Sequence, residues 1–207
     1  DLSDAPAPLK RRVLLAYGIG DAGTGMATAV VGFYLFVFYT AVAGLPAWLA
    51  GTVLMVVRVW DVFSDQMIGL LSDRTGGRWG PRLPWMISSA APLGLSMTLM
   101  WWVTPFSDPW RFLWFVAVAA IFQSTYSGVN LPYSALATEL TNDETLRTRL
   151  NAYRFTGSVL ASLLGLLLGA ALRHEGAPGY LLIGLASGLI LVFGSVASAI
   201  GLAPAAS

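Results

Sequence analysis

Long apolar segments recur along this chain and constrain its fold more than any other feature. Each is close to the roughly 20 residues that a helix needs to cross a bilayer, and short polar loops separate them. Only 11% of the residues are charged, against about a quarter in soluble domains. Because backbone polar groups must be paired in lipid, the pattern predicts an all-α membrane protein with six transmembrane helices. The predicted spans are 13–40, 46–70, 83–104, 110–138, 151–172 and 180–203.

Short loops between these spans suit antiparallel neighbours, so residues 13–203 are expected to form one helical bundle in the lipid bilayer. Residues 1–12 are a predicted cytoplasmic N-terminal tail, and residues 204–207 a C-terminal tail or the start of a linker. Span 5 carries small residues at four-residue steps, which predicts close packing against another helix. These residues are Gly157, Ala161, Gly165 and Gly169.

Basic residues are distributed unequally between the two sides of the predicted bundle. The N-terminus and the loops after spans 2 and 4 contain eight Lys and Arg residues, whereas the opposite loops contain Arg111 and Arg173. Positive residues favour the cytoplasmic side, so the N-terminus is predicted to be cytoplasmic. With an even number of spans, the C-terminus is on the same side. We expect the membrane to be a bacterial inner membrane.

Three ionisable residues lie inside span 2 and require an explanation. Arg58, Asp61 and Asp65 are spaced i, i+3 and i+7, so they share one face of a helix. Each costs of order 2.5–3.5 kcal/mol in a membrane helix. They form either a cation or proton site in a transport pathway, or a buried structural ion pair. A structural pair uses one carboxylate and leaves the second unexplained, which favours the functional interpretation.

Span 4 supplies further oxygen atoms beside a proline that frees a backbone carbonyl within the span. Hard cations bind several oxygen ligands at once, and Ser127 or Tyr126 could join the two aspartates of span 2. Ser64, in the same stretch of span 2, completes the candidate cation set. Two close carboxylates also suit a proton, because double ionisation is disfavoured, whereas Arg58 favours their charged forms. The residues therefore leave Na⁺ and H⁺ open as coupling ion.

Other chemistry is not expected from this sequence. The chain has no cysteine, and its one histidine, His174, lies in a polar loop, so no metal site is predicted beyond that for Na⁺. No pairing of a nucleophile with a base is visible, which argues against an enzyme. We expect no cofactor and no nucleic-acid partner.

Five motifs occur in order along spans 1 to 5. As a set they resemble the glycoside-pentoside-hexuronide:cation symporters of the major facilitator superfamily, in their N-terminal half. The motifs are Tyr17-Gly-Ile-Gly-Asp21, Arg58-Val-Trp-Asp61-Val-Phe-Ser64-Asp65, Arg78-Trp-Gly-Pro-Arg-Leu-Pro-Trp85, Asn130-Leu-Pro-Tyr-Ser-Ala-Leu136 and Arg147-Thr-Arg-Leu-Asn-Ala-Tyr-Arg154.

The resemblance implies roles for residues in three spans. Asp61 and Asp65 would ligate the coupling cation, with Ser127 as a hydroxyl ligand and Arg58 balancing the charge. Tyr126 and Arg154 would lie beside the substrate path. The loop after span 2 also resembles the cytoplasmic signature of the superfamily. There, a cytoplasmic gate would be formed by Asp73, Arg74 and Arg78.

Two further residues complete the candidate substrate path. Asp21, in a glycine-rich part of span 1, is interpreted either as a hydrogen-bond partner of a sugar or as the partner of a neighbouring helix. Melibiose permease has sugar-binding aspartates in spans 1 and 4, and Gly25 and Asn130 stand at those two positions in this chain. Ser134 stands where that permease has a tryptophan in span 4. These departures argue against galactoside recognition.

The function expected from the resemblance is cation-coupled symport, with Na⁺ or H⁺, of a glycoside or related polar organic solute. Members of this family have two six-span bundles, so the chain is expected to work with a second six-helix half or a larger membrane complex. The alternative is a non-transporting half-transporter that acts as a structural membrane subunit. A lysolipid symporter is the third choice, and it predicts an apolar cleft open to lipid.

Overall fold

A computed structural model describes residues 11–75, 82–140 and 143–206, and this part of the chain forms six long helices without a strand. They are α1 (Arg11–Val37), α2 (Ala47–Arg74), α3 (Leu83–Leu99), α4 (Asp108–Leu140), α5 (Glu144–Leu172) and α6 (Ala177–Ala206). A π-helical turn, Phe38–Val42, continues α1, and a 3₁₀ turn, Arg173–Glu175, follows α5. The predicted fold class, an all-α bundle of six helices, is confirmed.

Several helices run past the apolar segments that predicted them. α5 begins at Glu144, seven residues before the predicted span, because Asp143 caps it: its carboxylate accepts hydrogen bonds from the backbone of Thr145 (2.7 Å) and Leu146 (3.2 Å). α1 begins at Arg11, within the predicted tail. Helical hydrogen bonding thus continues into polar sequence that hydropathy alone assigns to loops.

The helices identify an integral membrane protein. Five are long and apolar enough to cross a bilayer: Val13–Val42, Ala47–Arg74, Asp108–Ala135, Glu144–Glu175 and Ala177–Leu202. α3 has 17 residues and is therefore about 25 Å long at 1.5 Å per residue. It is shorter than the roughly 30 Å hydrocarbon core, and hydrogen-bonded turns extend it as far as Trp102.

The helices pack side by side in the order α5, α1, α6, α3, α4, α2. α2 packs mainly on α4, and α5 mainly on α1, so these two helices occupy the ends of the series. α1 and α4 touch each other only sparingly. The space between α1 and α4, flanked by α2 and α5, is where the candidate site lies.

An aromatic cluster closes the end of the bundle away from both termini. Phe38 and Tyr39 in the π-helical turn contact Trp101 after α3, Phe115 in α4 and Tyr180 in α6, with ring centroids 4.3–6.2 Å apart. All five side chains are buried. Such aromatic pairs add about 0.5–1.5 kcal/mol each beyond the burial of their area. The cluster therefore fixes four helices at this end.

Small residues bring the backbones of α1 and α5 together, as the stripe in span 5 predicts. A Cβ atom on Gly157 would lie 2.5 Å from the carbonyl oxygen of Gly18, and one on Gly165 would lie 2.8 Å from the side chain of Met26. Only a residue without a side chain fits at such distances. This contact places α5 firmly against α1, which matters because both helices contribute to the candidate site.

A Gly157→Ala substitution is expected to lower the unfolding free energy by about 1–3 kcal/mol, because the added methyl group must push two backbones apart. The measurement is thermal unfolding of the purified protein in detergent. Gly51→Ala is the control, since a Cβ at Gly51 meets nothing within 4 Å and alanine is the better helix former. Equal melting temperatures for the two variants would contradict this account of the α1–α5 contact.

Candidate functional site

Two adjoining cavities lie between α1 and α4. The first, called here the α2 cavity, has a volume of ≈ 320 Å³ and is lined by α1, α2 and α4 with Met100 after α3. The second, the α5 cavity, has a volume of ≈ 310 Å³ and is lined by α1, α4 and α5. Thr28, Tyr126 and Asn130 line both. The two cavities therefore share a wall and form neighbouring compartments of one cleft.

The two aspartates of α2 line the α2 cavity and are held by α4. Gln123 donates a hydrogen bond from Nε2 to Asp61, and Ser127 donates one from its hydroxyl to Asp65. Both pairs of residues have i, i+4 spacing, so one turn of α2 faces one turn of α4. Trp60 strengthens the same seam through a hydrogen bond from Nε1 to Ser124 Oγ (2.8 Å). The carboxylates thus converge on one polar wall.

Arg58 contributes less to this wall than its charge suggests. Its guanidinium is 4.0 Å from Asp61 Oδ2, but its side chain is 82% exposed. An ion pair at that exposure is weak and easily screened. Asp65 is bound by Ser127 instead of by an arginine. A structural Arg58–Asp61 pair therefore does not account for the second aspartate.

The oxygen atoms around Asp61 and Asp65 match the preferences of a small hard cation. The two carboxylates and the Ser127 hydroxyl place oxygen atoms of the kind that such a cation binds within one seam, and the Gln123 amide faces Asp61 through its nitrogen. Ser64 is buried, and its hydroxyl donates to the Asp61 carbonyl of the same helix (3.1 Å). Among the residues that the structure describes, no group of three or more His, Asp or Glu is placed to hold a metal ion.

An ion pair between α1 and α5 borders the α5 cavity. Asp21 Oδ2 is 3.3 Å from Arg154 Nε, and Asp21 is only 7% exposed. The Thr24 hydroxyl lies 3.0 Å from Asp21 Oδ1 and donates to it. Of the two interpretations of Asp21, the structure shows its pairing with a neighbouring helix, and it also places the residue in the cavity wall.

Arg154 is positioned by α4 as well as by Asp21. Its NH1 group donates to Ser134 Oγ at 3.3 Å, and its guanidinium lies 5.3 Å from the centre of the Tyr133 ring. Tyr133 stacks on Tyr17 at 4.7 Å and donates a hydrogen bond to the Tyr17 carbonyl. A cation over an aromatic face gains about 0.5–2 kcal/mol. Arg154 is therefore fixed in place and remains partly open to the cavity.

The wall shared by the two cavities contains two of the predicted substrate-path residues. Tyr126 Oη lies 3.4 Å from Thr28 Oγ1, a long contact between α4 and α1. Asn130 Oδ1 is buried and has no hydrogen-bond partner among the described residues. The structure therefore brings Asp21, Tyr126, Asn130 and Arg154 around one cavity, with an acceptor on Asn130 left to be satisfied.

The predicted cytoplasmic gate is only partly described. Asp73 Oδ1 lies 3.9 Å from Arg82 NH2, and the Asp73 side chain is 68% exposed. Arg74 is exposed in the last turn of α2, and Arg78 lies outside the described residues. Arg82, absent from the predicted gate, follows the same basic loop and could have been found there.

Several polar residues of the site were missed in the sequence although their spacing indicates them. Gln123 stands four residues before Ser127, matching the spacing of the aspartates opposite. Ser158 and Ser162 follow Arg154 at four-residue steps, which places them on the same face of α5, and all three line the α5 cavity. On α1, Thr28 shares one helical face with Asp21 and Thr24, and all three residues line the α5 cavity.

Most of this chain is similar in sequence to known membrane transport proteins. A family model described as MFS/sugar transport protein, MFS standing for major facilitator superfamily, matches residues 16–206. An uncharacterized symporter of Synechocystis sp. is 48% identical over 160 residues, which cover 74% of this chain and 29% of that protein. The glucuronide carrier protein homolog of Escherichia coli is 34% identical over 169 residues, which cover 81% of this chain and 37% of that protein.

A third relative has a different named substrate. The sodium-dependent lysophosphatidylcholine symporter 1 of Xenopus tropicalis is 30% identical over 166 residues, covering 79% of this chain and 32% of that protein. The chain thus spans about a third of the length of the relatives that it matches. Two of these names are those of symporters and one is that of a carrier, and none is that of an enzyme. The chain belongs to the MFS/sugar transport protein family of the major facilitator superfamily.

Proposed function

We propose that this chain holds the coupling ion and the solute of a cation-coupled symporter. In this proposal Na⁺ or H⁺ binds in the α2 cavity, and a glycoside or related polar organic solute binds in the α5 cavity. Both termini would be cytoplasmic, because the basic residues are concentrated at the end of the bundle that carries them, and the membrane in this proposal is a bacterial inner membrane. The observation that carries the proposal is the shared wall, since it brings a carboxylate pair next to a cavity lined by hydroxyl groups and a guanidinium.

The α2 cavity supports ion binding through its charge. Asp61 and Asp65 lie one turn apart and repel each other when both are ionised. A bound cation, or a proton on one carboxylate, removes that repulsion and lets the seam between α2 and α4 tighten. Ser127, which binds Asp65, is the neighbour of Tyr126 in the shared wall. In this proposal, a shift of α4 at the ion would also move Tyr126, which lines both cavities.

The α5 cavity supports binding of a hydroxylated solute. Its lining includes the hydroxyl-bearing residues Thr24, Ser158 and Ser162, together with Arg154 and Asn130. A sugar carries hydroxyl groups that donate and accept, so it can satisfy both kinds of partner. Tyr126 adds an aromatic surface at the shared wall. In a purely structural subunit such a polar lining would lower stability, because polar groups that are buried without partners destabilise packing.

An amphipathic solute such as a lysolipid is the second candidate. The α2 cavity continues from its polar wall to an apolar one, formed by Leu35, Leu54, Val57, Met100 and Phe122. This apolar wall favours a solute with a hydrocarbon portion, whose polar head would occupy the α5 cavity.

The proposed ion site is tested by calorimetry with NaCl on the purified protein across a range of pH. We expect saturable sodium binding, or sodium-sensitive proton release, and loss of both in an Asp61→Asn/Asp65→Asn variant. Asp108→Asn is the control, because its ion pair with Arg111 (3.1 Å) lies outside both cavities. Sodium binding that survives in the double variant would refute the site. In the same setting, sodium-dependent binding of a nitrophenyl glycoside or of lysophosphatidylcholine distinguishes the two solute classes.

A further inference from the structure

The Asp21–Arg154 ion pair has a consequence for the charge of the solute. We propose that Asp21 is a specificity-determining residue: by holding Arg154 in a neutral pair, it makes the α5 cavity favour neutral solutes over anionic ones of the same shape. The proposal rests on the proposed function, because it concerns the solute site of that symporter.

Arg154 provides the positive charge to which an anionic solute would bind. A guanidinium has five N–H donors and binds carboxylates through two parallel hydrogen bonds. In this chain Nε faces Asp21 and NH1 binds Ser134, while the side chain remains 21% exposed and lines the cavity. Arg154 is thus accessible to a solute, but its charge is already matched.

Asp21 acts through its charge rather than as a direct hydrogen-bond partner of the solute. Thr24 donates to Oδ1, and the Arg154 guanidinium lies against Oδ2. With both oxygens engaged and the residue almost fully buried, few acceptor sites remain for a ligand. Its negative charge nevertheless borders the α5 cavity, and because Asp21 is buried, that charge is screened less than one in bulk water.

The electrostatic balance follows from these positions. A carboxylate that approaches Arg154 also approaches Asp21, and repulsion from Asp21 offsets the attraction to the guanidinium. A neutral hydroxyl group is neither strongly attracted by Arg154 nor strongly repelled by Asp21, and its oxygen can accept a hydrogen bond from the guanidinium. Removing the charge of Asp21 leaves an unpaired guanidinium at the cavity wall, which should then bind a carboxylate in preference to a hydroxyl group.

The test compares two probes that differ at one carbon atom. 4-Nitrophenyl β-D-glucoside and 4-nitrophenyl β-D-glucuronide are titrated into the purified protein, and the ratio of their affinities is measured. The wild-type protein is expected to bind the glucoside at least as tightly as the glucuronide. In Asp21→Asn the ratio should shift toward the glucuronide by about tenfold or more, as expected for a like charge removed within several ångströms.

Controls separate charge from damage to the fold. Asp108→Asn removes an aspartate from another ion pair, outside the cavities, and should leave the ratio unchanged. Asp21→Ser removes the same charge with a smaller side chain and should reproduce the shift if Asp21→Asn does not fold. A ratio that stays constant while both probes bind would overturn the role of Asp21 and leave the proposed function intact. Failure of both probes to bind the wild-type protein would overturn the role of Asp21 together with the glycoside part of the proposed function, which NaCl calorimetry and lysophosphatidylcholine binding test separately.

Discussion

An Arg154→Gln substitution is expected to lower the free energy of unfolding by about 3–5 kcal/mol, the usual consequence of leaving one partner of a buried ion pair without the other. Asp21 would keep its negative charge at 7% exposure, with the Thr24 hydroxyl as its remaining neighbour. The contact of the guanidinium with the Tyr133 ring would also be lost. The effect is measured by denaturant or thermal unfolding in detergent.

A second substitution distinguishes this explanation from a general loss of packing. In an Asp21→Asn/Arg154→Gln variant, both charges are absent, and most of the lost stability should return. Asp21→Asn alone should be milder than Arg154→Gln, because the arginine side chain is 21% exposed and reaches the cavity. If the effects of the two substitutions simply add, the pair is not coupled, and the assignment of Arg154 as the counter-ion of Asp21 fails.

Asp65→Asn is expected to weaken cation binding by about 100-fold or more, and Ser127→Ala by about tenfold. The first removes a charged group from the proposed cation site, whereas the second removes a neutral hydroxyl group that binds the same carboxylate. Because the double variant tests only whether the site exists, these single variants rank the contributions of its ligands. Calorimetric titration with NaCl gives the affinities.

Ser124→Ala provides the matched control for Ser127→Ala. Ser124 lies on the same helix, and its hydroxyl bonds the Ala120 carbonyl (2.9 Å) and the Trp60 indole instead of a carboxylate. Its loss should leave sodium affinity within about twofold of the wild type, because the hydroxyl contacts no carboxylate and a single hydrogen bond between membrane helices contributes little. Equal losses for the two serine variants would show that the α2–α4 seam, and not the Ser127 hydroxyl, is what binding requires.

The helices were predictable because hydropathy and backbone hydrogen bonding impose the same requirement on a chain in lipid. The face shared by Arg58, Asp61 and Asp65 follows from helical periodicity, and the small-residue stripe that ends near Gly169 predicts a close helix contact. Helix ends were less predictable. The cap at Asp143 extends α5 into polar sequence that a hydropathy profile assigns to a loop.

The partners of the charged residues were harder to predict. Asp61 and its partner Gln123 are 62 residues apart, and Asp21 reaches Arg154 across the α1–α5 contact. Helical periodicity shows which residues share a face, but not which face of another helix lies opposite. That depends on axial register, which is set here by close contacts such as Gly157 against the Gly18 carbonyl.

By itself, the sequence determined the class of protein, the number of helices and the positions of the charges within them, because each depends on local composition and on a single periodicity. The tertiary structure decided which charges are neutralised and which remain available. It pairs Asp21 with Arg154, assigns Asp65 to Ser127 and leaves Asn130 Oδ1 without a partner among the described residues. The physical reason is that pairing depends on distances between helices, which packing of the whole bundle fixes.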